Sequence, residues 1–326
     1  MRSPAAEVSV VLATSAADVV RSPLDAYRRQ SVADRVEVLL VAPPSVLAEL
    51  ADLTAPELHS LRPIAVSEPF DLARARAVGA LAASAHWVFI GETHSFAEPT
   101  LIEHLLAASR DRGKGADGPS VHGFVPAIYN VNPSGAVSWA SFLIDYGAWA
   151  PGHRGVVPQP PIYNALVARA ELERPLEELT RAMMPYDESA SPLDPRRGQL
   201  ALAVPAARIG HLNVVRISDF ALSKHWAGLA VGDLRRRRWR WPRRLVYAAA
   251  APAVAAVLFG RYLAGWRIAR RAGPLPFGVV PLFLLGAATR AVGETIGYLG
   301  LTPAVNDRRL ERLEIRKVDL VAGWRP

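Results

Sequence analysis

Glu92 and His94 stand two residues apart at the exit of a short apolar run, Trp87 to Ile90 (WVFI). That spacing at a strand end lets one carboxylate and one imidazole serve a single divalent cation. Imidazole suits later metals, whereas Mg2+ prefers oxygen, so the pair leans toward Mn2+ over Mg2+. The plainer reading of the same residues is a strand-end turn with a capping carboxylate and a solvated imidazole. Thr14 closes another apolar run, Val8 to Ala13, where open α/β sheets bind their ligands. An ordinary strand-end threonine fits there equally well.

A second kind of chemistry sits in one basic block. Seven arginines fall within the ten residues 235–244, among them Arg235, Arg236, Arg237 and Arg238, with Trp239 and Trp241 interleaved. Arginine and tryptophan together suit single-stranded nucleic acid through phosphate contacts and stacking. They suit a bilayer interface too, where tryptophan sits at headgroup depth and arginine meets anionic lipid. An uncharged run of 16 residues, Leu245 to Gly260, follows the block directly. It favours anionic membrane lipid as the partner and no nucleic acid.

The elements that must hold these residues emerge from the hydropathy pattern. Val8 to Ala13, Val36 to Val41 and Trp87 to Ile90 are continuous apolar runs that read as buried parallel strands. Helical stretches separate them: about Asp18 to Gln30, Val46 to Leu53, Asp71 to Ser84 and Leu101 to Ala108. Such alternation predicts an α/β class with a mostly parallel sheet. A strand is expected over Val121 to Ile128. The stretch from Asn130 to Ile162 shows no clean period and reads as a long functional loop. Trp139, Tyr146, Trp149 and Asn164 lie in or beside it; aromatic faces stack on sugar rings, and an amide both donates and accepts. Equally, these side chains would close a core. Helices over Glu171 to Met184 and Val215 to Ala230 and a strand over Gln199 to Val204 complete the reading.

The chain has 326 residues, just over half of them apolar, which supports a large core and argues against disorder. With no cysteine, disulfides and thiolate metal sites are excluded. Met1 to Glu7 runs straight into the first strand pattern, so no secretory signal is expected. The net charge of +8 is concentrated after Gly232. There the runs Leu245 to Gly260 and Ala272 to Thr289 hold 16 and 18 uncharged residues. Both fall short of the about 20 residues that cross a bilayer core. Arginines flank the first run on both sides, which conflicts with a single crossing under the positive-inside tendency. Segments lying in the interface, or re-entrant from one face, are expected.

Several of these pieces, in this order, resemble family 2 glycosyltransferases. They are Val8 to Thr14 (VSVVLAT), Gln30 before the second strand, Ala75-Arg76-Ala77-Val78-Gly79, the WVFI strand with its exit Gly91 to Pro99 (GETHSFAEP), and Pro99 opening the next helix. The resemblance covers about residues 7–215 and implies a GT-A fold, with a glycosyltransferase domain over 1–215 and a helical, membrane-associating region over 216–326. Gly293-Glu294-Thr295-Ile296-Gly297-Tyr298 resembles an element of a membrane-associated branch of that family.

The resemblance implies an enzyme that moves a sugar from a nucleotide sugar to a lipid-linked or cell-surface polysaccharide acceptor, with inversion. It implies action at the cytoplasmic face of a bacterial inner membrane, peripheral or re-entrant, as a homo-oligomer or beside a partner membrane protein. By the same resemblance, Glu92-Thr93-His94 stands where the family carries an acidic pair that holds a divalent cation, Mn2+ or Mg2+, and the donor diphosphate. On this pattern His211 joins that ion or the diphosphate, Arg76 and Thr14 face the donor, and Trp139, Tyr146 and Asn164 face the acceptor. Asp187 and Glu188, with Asp194 as second choice, would supply the carboxylate that takes the acceptor proton. Ala42-Pro43-Pro44-Ser45 lacks the acidic residue that binds the base in the family. Two other readings remain: a non-catalytic nucleotide-sugar-binding or scaffold relative, and a basic membrane adaptor.

Overall fold

Strand β1 (Val8–Ala13) is buried at all six positions and pairs in parallel with β2 (Val36–Ala42) on one side and β4 (Trp87–Ile90) on the other. Their continuous apolar runs place them at the centre, covered on both faces. The computed structural model describes residues 5–112, 121–157, 159–184, 193, 199–303 and 305–321. Parallel β3 (Ser60–Ala65) lies outside β2 as a half-exposed edge. Beyond β4 comes β8 (Leu166–Ala168), antiparallel both to β4 and to its other neighbour β6 (Val121–Asn130). With β5 (Ser95–Ala97), β7 (Val156–Val157) and β9 (Leu200–His211) the sheet runs β3-β2-β1-β4-β8-β6-β9-β5, β7 pairing with β9. The class is α/β, as the alternation implied, with an antiparallel second half and a helical C-terminal region.

The chain forms two units, residues 1–129 with 153–210, and residues 130–152 with 211–325. In the first, helices α1 (Arg21–Arg28), α2 (Pro44–Glu49), α3 (Leu72–Ala82), α4 (Leu101–Arg112) and α6 (Leu176–Ala182) accompany the sheet. Asp71 starts α3 by accepting the Arg74 N–H at 3.0 Å. Gly79 lets that helix lie close on the sheet: a Cβ there would stand 2.5 Å from Val11 Cγ1 and 2.8 Å from Val41 Cγ2. Gly79 of the Ala-Arg-Ala-Val-Gly element is therefore a packing requirement.

One buried charge interrupts β2. Glu37 sits opposite Ser9 in the β1–β2 register, accepts from the hydroxyls of Ser9 and Ser84 and the Ser84 N–H, and pairs with Arg62 at 3.1 Å. Burial pushes its pKa up, but these donors outweigh that and leave it below the usual glutamate value. A depressed folded pKa contributes stability above about pH 4.3, which is lost as pH falls through the folded value. Glu37→Gln is expected to flatten the acid limb of the urea midpoint below about pH 4 and to destabilise the protein at pH 7 by on the order of 2 kcal/mol. An unchanged acid limb would refute this account.

The second unit is helical: α5 (Ala136–Tyr146), α7 (Ile217–Arg238), α8 (Trp241–Ala249), α9 (Ala251–Ala269), α10 (Val279–Tyr298) and α11 (Asn306–Ile315). Helix α5 occupies part of the stretch expected to be an irregular loop. The 16-residue uncharged run is split between α8 and α9, which bend by 70° at Ala250. Among the described residues α10 alone is long and apolar enough by itself to cross a membrane, and the bent α8–α9 pair passes only as a broken span. Pro274 and Pro276 precede α10, and Pro281 lies in its first turn, where a missing N–H costs little.

Four glycines bring α7 and α10 together. A Cβ at Gly228, Gly232 or Gly293 would stand 2.2–2.3 Å from backbone oxygens of the opposite helix, and one at Gly297 would stand 2.7 Å from Leu229 O. Beside them the buried Glu294 accepts from Arg235 at 3.0 Å and from the Tyr298 hydroxyl at 2.7 Å. The Gly-Glu-x-x-Gly-Tyr element is thus a helix-packing device closed by one polar tie.

Candidate functional site

In the first unit the site residues gather at the exit of β4. The Gly91 N–H extends the parallel ladder to Val11 O at 2.9 Å. A Cβ at Gly91 would come within 2.7 Å of Leu12 Cδ2, so only glycine leaves the strand here without a shift. The next residues turn inward: Glu92, Thr93, His94 and Ser95 are all buried.

Glu92 is oriented by two donors on one oxygen. Oε2 accepts from Asn164 Nδ2 at 2.5 Å and from Ser95 Oγ at 3.0 Å. Oε1 stands 3.8 Å from His94 Nε2. That is beyond hydrogen-bond length. Two ligand atoms, each about 2.1 Å from one ion, reach about 4 Å apart. The donor set therefore fits a divalent cation, and its imidazole suits Mn2+ better than Mg2+. Next to it, burial and then the Glu92 charge push the pKa of Tyr27 up, keeping that phenol neutral.

Asn164, expected to face an acceptor, is fully buried and spends its amide on Glu92 and Ser95. It holds a left-handed φ of 56°, which asparagine tolerates, and its N–H bonds Ile90 O at 2.8 Å. The preceding residue, Tyr163, carries the Arg76 guanidinium on its ring face at 3.7 Å. Two consecutive residues thus connect Arg76 to Glu92. Arg76 is buried, and among the described residues no carboxylate pairs with it and its Nε has no hydrogen-bond partner. A buried guanidinium of this kind calls for an anion. Its neighbour Arg74 points outward and pairs with Glu177 at 2.8 Å. Thr14 lies at the end of β1, but its hydroxyl is committed to its own turn, donating to Ala16 O at 2.9 Å.

Asp187, Glu188 and Asp194 lie outside the described residues. In the second unit, Tyr146 ends α5 and lies against the His211 ring with centroids 4.2 Å apart, while Trp139 packs edge-on to Phe142. His211 closes β9, and its Nδ1 stands 2.9 Å from Asn213 Oδ1. Sequence reasoning missed Asn213 and its partners Asn130 and Asn132; an asparagine two residues after a candidate histidine was the available signal.

The basic block is less open than its composition suggested. Arg235 is tied to Glu294, and Arg236 and Arg237 share Asp233, each at 2.8 Å. Arg243 instead lies over the Trp239 ring at 4.1 Å. Helix α8 buries none of its residues and exposes Trp241, Leu245, Val246 and Tyr247.

No family model matches this chain, and no curated protein matches it. Among solved structures the chain is similar to TarS of S. aureus in complex with UDP, at 10% identity over 90% of either chain with a TM-score of 0.40. It is similar also to the mannosyltransferase PcManGT of Pyrobaculum calidifontis in complex with GDP-Man and Mn2+, at 18% identity over 94% of this chain and 88% of that one, with a TM-score of 0.45.

Proposed function

We propose that this chain is a glycosyltransferase that moves a sugar from a nucleotide-sugar donor to a glycan acceptor with the help of a divalent cation. The observation that carries the reading is the buried Glu92 carboxylate, clamped by Asn164 and Ser95 so that its other oxygen faces His94. A bound cation would neutralise charge on the departing diphosphate. Arg76 supplies a second, fixed positive charge, linked to Glu92 by the consecutive residues Tyr163 and Asn164. Asn164 and Ser95 fix the rotamer of Glu92, so the ligand is in place before donor arrives. The acceptor base is assigned to Asp187 or Glu188 from the sequence resemblance.

The test is a screen of nucleotide sugars with and without Mn2+, read as donor hydrolysis or transfer to membrane extract and as thermal shift. A bound donor raises the melting temperature. Turnover with at least one donor is expected. Absence of both turnover and donor-induced shift across the screen would overturn the reading and favour a non-catalytic scaffold.

A membrane-surface setting is favoured by α8. The apolar residues it exposes lie beside Arg240, Arg243 and Arg244, none of which pairs with a carboxylate among the described residues. On α9 the exposed positions Pro252, Ala253, Ala256, Val257 and Gly260 continue an apolar strip. We assign this surface to the headgroup layer of an anionic bilayer, with a lipid-linked or cell-surface glycan as acceptor, at the cytoplasmic face. Wild-type protein is expected to float with anionic liposomes at about 0.1 M salt and less at about 1 M. Trp241→Glu with Val246→Glu is expected to cut capture at least about tenfold. Wild type that stays at the bottom of the gradient would remove the membrane assignment.

A further inference from the structure

Helix α10 has its polarity reversed. Of its twenty residues only Arg290 and Glu294 are charged. Glu294 is buried, accepts from Arg235 of α7, and stands 3.5 Å from Arg290. The exposed residues are Pro281, Leu284, Ala288, Val292 and Leu299, with Leu285 and Ile296 half-exposed beside them. Steps of three and four, with one of seven bridged by Ile296, put them on one face. That face lies away from Gly293 and Gly297, which meet α7, and from Gly286, which meets Ile144 of α5. A surface helix in water shows the opposite arrangement, polar outside and apolar inside. Thr289 and Thr295 flank the strip, and each hydroxyl donates to a carbonyl of its own helix, Leu285 O at 2.9 Å and Ala291 O at 3.0 Å. A hydroxyl bonded in this way needs no water.

The strip is about 30 Å long, the length of a twenty-residue helix. Exposed Phe277 precedes it and exposed Leu301 follows it. Arginine borders both ends. Arg270 lies over the Phe277 ring at 5.2 Å. At the other end Trp239 stacks on Tyr298 at 5.6 Å, and Arg243 lies over Trp239 at 4.1 Å. Between Asp233 and Glu294 the chain carries twelve arginines and no acidic residue.

These charges decide what covers the strip. A second copy docked along α10 would bring two arginine-bordered faces together, and like charges oppose that contact. An anionic bilayer offers acyl chains to the strip and phosphates to both ends. A helix crossing the bilayer would carry one set of arginines to the far side. A helix lying flat keeps both sets at the phosphates while its apolar face sinks about 5–10 Å into the headgroup and acyl boundary.

We propose that α10 lies flat in one leaflet of an anionic bilayer, its outer strip among the acyl chains and the arginines at its two ends at the phosphates. The proposal rests on the membrane-surface reading of α8 and is independent of the transfer chemistry. It makes attachment of the helical unit partly hydrophobic, so that a fraction of the binding outlasts screening of the arginines.

The chain has no cysteine, so a single introduced thiol takes a fluorescent label at one site. Leu284→Cys, Val292→Cys, Val246→Cys on α8 and Arg308→Cys on α11 are labelled and mixed with vesicles of phosphatidylcholine and phosphatidylglycerol. All four positions are exposed, so the substitutions leave the core intact. Labels at 284, 292 and 246 are expected to shift to the blue and to be quenched by brominated acyl chains; the label at 308 is expected to stay aqueous. Part of the wild type is expected to float at about 1 M salt, and Leu284→Glu with Val292→Glu to cut that part at least about tenfold.

Vesicle-bound protein whose labels at 284 and 292 stay aqueous while the label at 246 is quenched overturns the proposal and leaves the α8 reading standing. Quenching at 284 and 292 with an aqueous label at 246 supports the proposal and removes α8 from the contact. Labels at 284 and 292 that become shielded without lipid as protein concentration rises, together with a dimer in solution, would give the strip to a second copy and overturn the proposal. Wild type that binds no vesicle at any salt overturns both membrane readings.

Discussion

Glu92→Gln and His94→Ala each abolish the Mn2+-dependent part of the donor-induced thermal shift and lower sugar transfer by about 100-fold or more, the scale of losing several kcal/mol of charge stabilisation. The two variants isolate different things. Glu92 holds a buried polar cluster, and Ala there would strand the Asn164 amide and the Ser95 hydroxyl, costing about 1–3 kcal/mol per group. Gln keeps the size and one acceptor oxygen but removes the charge that binds the cation. His94→Ala leaves the clamp on Glu92 intact and removes only the nitrogen 3.8 Å from Oε1. A third variant, His94→Asp, converts the pair to oxygen donors and should move preference from Mn2+ toward Mg2+. Thermal shift against titrated metal, with donor present, measures all three. A Mn2+-dependent shift that survives both Glu92→Gln and His94→Ala would exclude these residues as ligands.

The strand-borne part of this site was legible in the sequence. Strands β1, β2 and β4 are buried on both faces, so they appear as unbroken apolar runs and their ends could be located. The pair at the β4 exit and Thr14 at the β1 exit followed from those ends. The clamp on Glu92 was not legible, because Asn164 is 72 residues away and arrives only when β8 inserts antiparallel beside β4. The same holds for Asn213, whose partner Asn130 is 83 residues distant. Edge strand β3 (SLRPIA) was missed for a different reason: half of its positions face solvent and a proline interrupts it. Helix α5 (AVSWASFLIDY) buries six of its eleven residues, so it lacks the polar stripe that marks a surface helix. Arginine count also misled: Glu294 and Asp233, at the helix positions facing them, engage Arg235, Arg236 and Arg237.

The largest loss of stability is expected from side chains added to the α7–α10 seam. At Gly228 a Cβ would stand 2.2 Å from Arg290 O and 2.9 Å from Glu294 N; at Gly293, 2.3 Å from His225 O. These neighbours are backbone atoms of a facing helix, not flexible side-chain ends, so relief requires the helices to separate. Separation opens the contacts around Glu294, whose carboxylate then loses Arg235 of the facing helix and keeps only the Tyr298 hydroxyl of its own helix while still partly buried. An alanine in a free helix would gain about 1 kcal/mol over glycine. Here the sign reverses, and overpacking of about 3 kcal/mol or more is expected for Gly228→Val or Gly293→Val. Gly260→Ala on α9 is the control, because a Cβ there meets nothing within 4 Å; it should leave stability unchanged or raise it. Urea or thermal unfolding followed by tryptophan fluorescence reports on this unit, since Trp226, Trp239, Trp241 and Trp266 lie within it. A Gly293→Val protein as stable as wild type would mean that α7 and α10 do not meet at backbone distance, and the Gly-Glu-x-x-Gly-Tyr element would need another explanation.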